Sequence, residues 1–251
     1  FVSVAVWWGL FSLPLFKYVP EPPVTPLGGS ADSRPALTRG FRRLASTLRE
    51  ISRYRQLLIF LAAYWIYNDG IGTIVKMATA YGSEIGIGMT DLIGALVLTQ
   101  AVGIPFAVLF GRLARRIGPK RSILLALLVY LIISIFGFFL NSSSQFYVLA
   151  GLVGTVQGGA QALSRSLFAS MVPRHRTSEF FGFYSSSGKL AGVAGPLVFG
   201  LVSQGTGTSR LGILSLIFFF AVGGWLLTRV DVAAGQAAAR RAEREEGFQE
   251  T

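Results

Sequence analysis

The sequence predicts an all-α membrane protein built as a bundle of six transmembrane helices, and three observations carry that prediction. Apolar residues make up 52% of the 251 and charged residues only 14%, with a mean hydropathy of +0.56, whereas soluble domains carry about 25% charged residues. The apolar residues fall into runs of about 20, the length that crosses roughly 30 Å of hydrocarbon. The charges lie between those runs and are mostly basic, giving a net charge of +11.

Taken in order, the complete runs are 56–80, 92–110, 122–140, 146–171, 180–203 and 211–228, and they define a transmembrane bundle over 56–229. A further partial run, 1–16, starts at Phe1 with no basic residue before it and no small-residue cleavage site, and it carries Trp7 and Trp8. It reads as the end of a transmembrane helix whose beginning is missing rather than as a signal peptide. The chain therefore reads as a fragment of a longer protein.

Residues 17–55 form the one long connection, Pro-rich and then basic, with Lys17, Arg34, Arg39, Arg42, Arg43, Arg49, Arg53 and Arg55. Within it Leu37, Phe41, Leu44, Leu48 and Ile51 recur at helical intervals with arginines on the other face, which predicts an amphipathic helix lying on the membrane surface. On the same side of the membrane, 112–121 adds five basic residues, 174–176 two, and the tail from Arg229 four. Nineteen basic residues thus face one side, and the opposite connections hold Arg210 alone. By the positive-inside rule the linker, both ends and the tail 230–251 face the cytoplasm. The Ala/Arg/Glu tail is expected to be a fraying helix. The net charge, which in a soluble protein would suggest a nucleic-acid partner, is accounted for by topology. The expected partner is anionic lipid at the cytoplasmic face, with no nucleic acid.

Several function classes fall away on composition. With no cysteine there is no disulfide framework, thiolate nucleophile or Cys-based zinc site, and the single histidine, His175, sits in a cytoplasmic connection beside two arginines. A membrane-embedded enzyme would need an intramembrane nucleophile with a base, or a metal cluster, so no enzyme, metal or cofactor is expected. No glycine-rich run ends in Gly-Lys-Ser/Thr, so no ATP-binding loop is present.

Polar groups at bilayer depth cost about 2.5 kcal/mol or more unless paired or hydrated, so they mark candidate sites. In the first span Asp69 lies thirteen residues past Gln56, about 20 Å deep. Thr73 and Lys76 follow at i+4 and i+7 on the same face, with Gly70 and Gly72 beside them to loosen the backbone. Asp69 can serve transport and proton coupling or a structural pair, and Lys76 can snorkel outward. In the fourth span Gln157, Gln161 and Arg165 form a polar stripe at i, i+4 and i+8, with Gly151, Gly154 and Gly158 read as helix-packing residues. Arg165 is placed to bind a carboxylate in a cavity or to pair with Glu179. In the fifth span Lys189 lies about 14 Å deep behind Tyr184 and Ser185, and Asp69 is its expected partner. Gly188, Gly192, Gly195 and Pro196 predict a close-packed, kinked helix there.

The connection between the second and third spans, Gly111-Arg112-Leu113-Ala114-Arg115-Arg116-Ile117-Gly118-Pro119-Lys120-Arg121, has two glycines for a tight turn and basic residues that can hold helix C-terminal carbonyls and anionic lipid. It resembles the loop signature of the major facilitator superfamily at Gly111, Arg116, Gly118, Lys120 and Arg121. It departs from that signature at Arg115, where the superfamily usually has an aspartate that helps latch helices together. A long linker followed by six spans also resembles the carboxy-terminal half of the twelve-helix fold, with 1–16 as the end of the sixth helix.

More narrowly, Tyr67-Asn68-Asp69-Gly70 with Thr73, the run from Gln157 to Ser166, and Glu179-Phe180-Phe181-Gly182-Phe183-Tyr184 resemble the branch that includes the vacuolar amino-acid effluxer of autophagy and its bacterial relatives. That resemblance implies a secondary transporter of a small polar solute, with amino-acid export as the activity of the branch, working by alternating access around a midplane cavity. The cavity residues would be Tyr67, Asn68, Asp69, Thr73, Gln157, Gln161, Arg165, Tyr184 and Lys189, with Asp69 and Lys189 coupling to protons. The missing amino-terminal half would complete the cavity. The residue composition fits a bacterial inner membrane. The alternative from another class is a nontransporting membrane scaffold or sensor.

Overall fold

The computed structural model describes residues 2–18 and 36–245, and among them every regular element is helical. Helix α1, Val2–Tyr18, belongs to a separate compact unit and is an apolar helix with most of its side chains exposed. Helix α2 is Ala36–Ile51, and from Phe41 onward the chain forms the second unit. Its bundle comprises α3 (Arg55–Glu84), α4 (Met89–Ile117), α5 (Pro119–Phe138), α6 (Ser143–Ala169), α7 (Thr177–Ala191), α8 (Ala194–Thr206) and α9 (Ser209–Thr228). A 3-10 turn at Arg174–Arg176 precedes α7, and α10 (Val232–Glu245) follows the bundle.

Five of these helices, α3, α4, α5, α6 and α9, are each long and apolar enough to cross a membrane. The sixth crossing differs from the single kinked helix expected over 180–203. It is two helices, α7 of 15 residues and α8 of 13, about 22 and 20 Å long, so neither is long enough to span alone. Conversely α3 runs unbroken through Gly70 and Gly72, so the expected loosening of that backbone does not occur. Gly70 is a contact glycine, because a Cβ there would meet Phe219 Cβ and Phe220 Cε1 at 3.0 Å.

Short connections make α3, α4, α5 and α6 successively antiparallel. The α4–α5 connection reduces to Gly118, whose φ of +87° lets the chain reverse between the last turn of α4 and Pro119 at the start of α5. Gly111, expected to help form that turn, lies inside α4 instead. Helix α4 packs along α6, α3 along α9, and α5 lies against both α6 and α9, while α8 rests on α9 and both short helices touch α3. The α4–α6 approach depends on two glycines of α6. A Cβ at Gly154 would lie 2.7 Å from the Thr99 carbonyl oxygen, and one at Gly159 would enter the Phe110 ring. Gly158 makes only ordinary contact and Gly151 faces open space, so of the three expected packing glycines Gly154 is the one that cannot carry a side chain.

The end of the bundle that carries the basic connections is also where the flanking helices dock. Ile51 of α2 is fully buried and Leu44 packs against the core, while Thr47 donates to Glu179 at 2.8 Å. The last two turns of α2 therefore sit on the protein rather than only on a membrane surface; Leu37 and Phe41, on its expected apolar face, have side chains outside those described. The tail helix α10 is docked, not frayed. The Asp231 amide donates to Gln56 Oε1 at 2.9 Å, Glu243 accepts from the Arg174 amide at 2.8 Å, and Gly235 lies so close to Met171 that a Cβ would meet its sulfur at 2.7 Å.

Candidate functional site

The break between α7 and α8 organises the polar residues of the bundle. Pro196 has no N–H, so it cannot donate to the carbonyl of Gly192 four residues earlier. The Val193 amide turns back to the Ala191 carbonyl at 2.8 Å instead of continuing the helical ladder. The break leaves the Gly195 N–H, buried at the start of α8, and the Gly192 carbonyl, half-buried at the end of α7, to find partners outside the helical ladder, and an unpaired buried backbone group is costly.

Both are taken by one face of α3. Asp69 Oδ2 accepts from the Gly195 N–H at 2.6 Å, and Lys76 Nζ donates to the Gly192 carbonyl at 3.2 Å. The signs suit the helix ends, since an N-terminus favours an anion and a C-terminus a cation. The spacing of Asp69 and Lys76, i and i+7, puts them two turns apart on one side of α3, so a single straight helix can reach both sides of the break. Thr73 lies between them, fully buried, with its hydroxyl donating to the Asp69 carbonyl at 2.7 Å. Gly195 makes this possible, because a Cβ there would collide with Thr73 Oγ1 and lie 2.9 Å from Asp69 Oδ1. Asp69 Oδ1 itself is buried without a hydrogen-bond partner.

This geometry replaces two expected pairings. Asp69 is turned toward the start of α8, whereas Lys189 is exposed near the end of α7, so the structure does not join them. Lys76, expected to snorkel outward, instead reaches across the break to Gly192. Glu179 is engaged by Thr47 and by Arg176, at 3.6 Å, rather than by Arg165, which is exposed on α6.

Toward the basic end of α3, on other faces of the helix, lies an aromatic cluster. Tyr64 stacks on Tyr184 with centroids 4.3 Å apart, Tyr184 stacks on Phe168 at 4.6 Å, and Tyr67 meets Tyr64 edge-on at 5.8 Å. The Tyr67 hydroxyl lies 2.7 Å from Ser164 Oγ, and Ser164 spends its own proton on the Ala160 carbonyl at 2.6 Å, so Tyr67 is the donor. Trp65 Nε1 donates to Ser187 at 3.0 Å and so ties α3 to α7. Arg165 lies within electrostatic reach of Tyr184. Tyr64, Trp65 and Ser164 were not singled out as site residues from the sequence, and Gly195 only as a packing and kink glycine. Tyr64 could have been, since it shares the i, i+4 face of Asn68.

The remaining candidates divide by exposure. Gln157 lines a small apolar cavity between α3, α4 and α6, about 60 Å³ in volume, with Ile74, Thr99 and Phe146 among its walls. Asn68 is half-buried, and Gln161 is exposed along α6 with Arg165. In the α4–α5 connection Arg115, Arg116 and Arg121 are exposed. Lys120 donates to the carbonyls of Thr228 and Val230 at 2.9 and 2.7 Å and caps the end of α9. The turn is thus tied to the neighbouring helix through carbonyls, without the aspartate that Arg115 replaces. Among the described residues no group of three or more His, Asp or Glu is arranged to hold a metal ion.

Comparison with known proteins matches residues 1–240 to the family model described as "Vacuole effluxer Atg22 like". An uncharacterized MFS-type transporter, YxiO, of Bacillus subtilis (strain 168) is 40% identical over 230 residues, which are 89% of this chain and 51% of that protein. Autophagy-related protein 22 of Yarrowia lipolytica is 26% identical over 268 residues, 96% of this chain and 45% of that protein, and its counterpart in Cryptococcus neoformans var. neoformans is 29% identical over 255 residues, 93% and 46%. The chain spans about half the length of these relatives.

Proposed function

The chain belongs to the Atg22-like vacuole effluxer family, and we propose that it forms the carboxy-terminal half of a secondary active transporter that exports a small polar solute of the amino-acid class by alternating access. The observation that carries this reading is the broken crossing, in which α7 and α8 meet mid-bundle and the break between them is bridged by Asp69 and Lys76 from α3. Broken helices at membrane depth occur where a transporter binds or moves its solute, because they present backbone dipoles that a continuous helix conceals.

In this proposal Asp69 is the coupling group. A carboxylate there accepts the Gly195 N–H and anchors α8; taking up a proton removes the charge that favours the α8 N-terminus and loosens the joint, so ion binding and helix movement share one group. Lys189, 18 Å along α7 by its twelve-residue distance from Thr177, is exposed at a depth where an ammonium in hydrocarbon would cost about 2.5 kcal/mol or more. It therefore faces water in the assembled protein, with Gln161, Arg165 and Asn68 as the other polar groups offered to the solute, and Lys189 is the second proton-coupling candidate. Tyr67, Thr73, Gln157 and Tyr184 shape the wall behind them. The rest of the transporter, outside this chain, supplies the opposite wall. The bilayer we assign is a bacterial inner membrane, with the basic end cytoplasmic.

The test is counterflow and pH-gradient-driven uptake of labelled amino acids by the intact transporter in proteoliposomes, comparing wild type with Asp69→Asn. The expected result is gradient-driven movement in wild type, and exchange without a response to the gradient in the variant. If no amino acid moves, the solute class is wrong and a scaffold role gains; if the variant responds to the gradient like wild type, Asp69 is not the coupling group.

A further inference from the structure

We propose that the basic end of the bundle carries a binding site for an anionic phospholipid, its headgroup in the cavity between the α4–α5 turn and the α9–α10 turn. That cavity has a volume of about 740 Å³ and is walled by Gly118, Lys120, Arg121 and Leu124 on one side and by Thr228, Arg229 and Asp231 on the other. Three cations face it against one acid. The acid is already committed, since Asp231 Oδ1 accepts the Ala234 N–H at 3.0 Å and starts α10.

The cations are held ready. Lys120 gives two of its three protons to the carbonyls of Thr228 and Val230, which fixes its ammonium at the cavity wall with one donor left. Arg229 lies over the Trp225 ring at 4.8 Å, a stack that holds the guanidinium plane while leaving its edge donors free. Arg121 is exposed at the first turn of α5. A phosphate oxygen cluster is the ligand that such a set of planar and point donors suits.

The surface below the cavity selects a lipid rather than a free phosphate. From Leu124, the α5 face continues at i+4 and i+8 through Leu128 and Ile132, both more than half exposed. From Arg229, the α9 face continues at i−4 and i−11 through Trp225 and Phe218, likewise exposed. Spacings of four, eight and eleven keep each set on one side of its helix. An apolar track of two helix faces therefore descends from a cationic cavity, and an exposed tryptophan at the junction is the residue that marks a membrane interface. Acyl chains fit the track and an anionic headgroup fits the cavity.

The test is native mass spectrometry of the intact transporter in mild detergent, titrated with phosphatidylglycerol or phosphatidylcholine. Arg121→Gln with Arg229→Gln is expected to weaken phosphatidylglycerol binding by roughly thirtyfold, about the worth of two basic side chains at a membrane surface. Arg121→Lys with Arg229→Lys is expected to retain most of it, which separates loss of charge from misfolding. Arg115→Gln with Arg116→Gln, an equal charge change on the same connection outside the cavity, is expected to leave it within about twofold, since it removes only screened surface charge. Equal loss in the two Gln pairs, or equal binding of phosphatidylcholine and phosphatidylglycerol by wild type, would overturn the proposal. Competition by glycerol 3-phosphate as effective as that by the lipid would replace it with a soluble phosphate site.

Discussion

Replacing Gly195 by alanine tests the joint between α3 and α8 most directly. The added methyl carbon would collide with Thr73 Oγ1 and sit 2.9 Å from Asp69 Oδ1 and 3.0 Å from the Asp69 carbonyl oxygen. None of these can retreat cheaply: Thr73 is fully buried and bonded to the α3 backbone, and the carbonyl belongs to an unbroken helix. The helices must separate, which costs about 1–3 kcal/mol as overpacking. Separation also lengthens the 2.6 Å bond from the Gly195 N–H to Asp69, a bond to a charged group worth about 1.5–3 kcal/mol. Alanine's helix propensity returns up to about 1 kcal/mol, leaving a net loss of about 1.5–6 kcal/mol.

Reversible unfolding in mixed detergent micelles measures that loss. Gly200→Ala is the control, since it lies in the same helix with open space where its Cβ would be and is expected to be neutral or stabilising by up to about 1 kcal/mol. Adding Thr73→Ala to Gly195→Ala removes the colliding hydroxyl, so the double variant should lose about 1 kcal/mol less than the two single losses together, the coupling typical of residues in contact. A Gly195→Ala loss no larger than that of Gly200→Ala, or strict additivity with Thr73→Ala, would refute the argument that this glycine exists to admit the Asp69 contact.

Other expectations follow from single bonds. Lys76→Met leaves the half-buried Gly192 carbonyl without its donor and should destabilise by about 0.5–1.5 kcal/mol; Pro196→Ala, which restores an N–H able to reach that carbonyl, should rescue it in a double-variant cycle. Ser164→Ala strands the buried Tyr67 hydroxyl and should cost about 1–3 kcal/mol, whereas Tyr67→Phe leaves Ser164 bonded to Ala160 and should cost about 1 kcal/mol, a difference readable in the same unfolding assay. Lys120→Met removes both caps from the end of α9 and should raise hydrogen exchange and protease cleavage in α10, which hangs from that end, while the α3–α6 amides stay protected.

Hydrophobic run length and charge placement were enough to read five of the six crossings, because both are set by the bilayer and not by neighbouring helices. The sixth shows where such reading ends. Gly188, Gly192, Gly195 and Pro196 signalled a deformation of the helix, but a kink and a full break have the same residues. What decides between them is whether another helix offers a donor and an acceptor at the right depth. The i, i+4, i+7 face of Asp69, Thr73 and Lys76 was legible as a face; its target was not, because Asp69 and Gly195 are 126 residues apart. Depth alone made Lys189 look the better partner for Asp69, since depth carries no information on the direction a helix turns its side chains. The glycines failed in the same way: Gly151 and Gly159 look alike in sequence, and only the position of Phe110 on α4 separates open space from contact.

The placement of charge at the break bears on how such a joint could move. A deformation stabilised by apolar packing alone would respond to nothing but the shape of what binds. Here the N-terminus of α8 is held by a carboxylate and the C-terminus of α7 by an ammonium, and both come from one rigid helix. The two attachments are unequal: Asp69 is buried, with one oxygen unpartnered, while Lys76 is exposed. Removing charge from Asp69 therefore weakens the inner attachment in a low-dielectric setting, where it counts most, and leaves the outer one intact. Away from the break, α8 rests on α9 and α3, and α7 is tied to α3 through Trp65 and Ser187 and through the Tyr64–Tyr184 stack. In the transport reading proposed above, the group that would loosen this joint is therefore the same carboxylate to which that reading assigns the coupling ion.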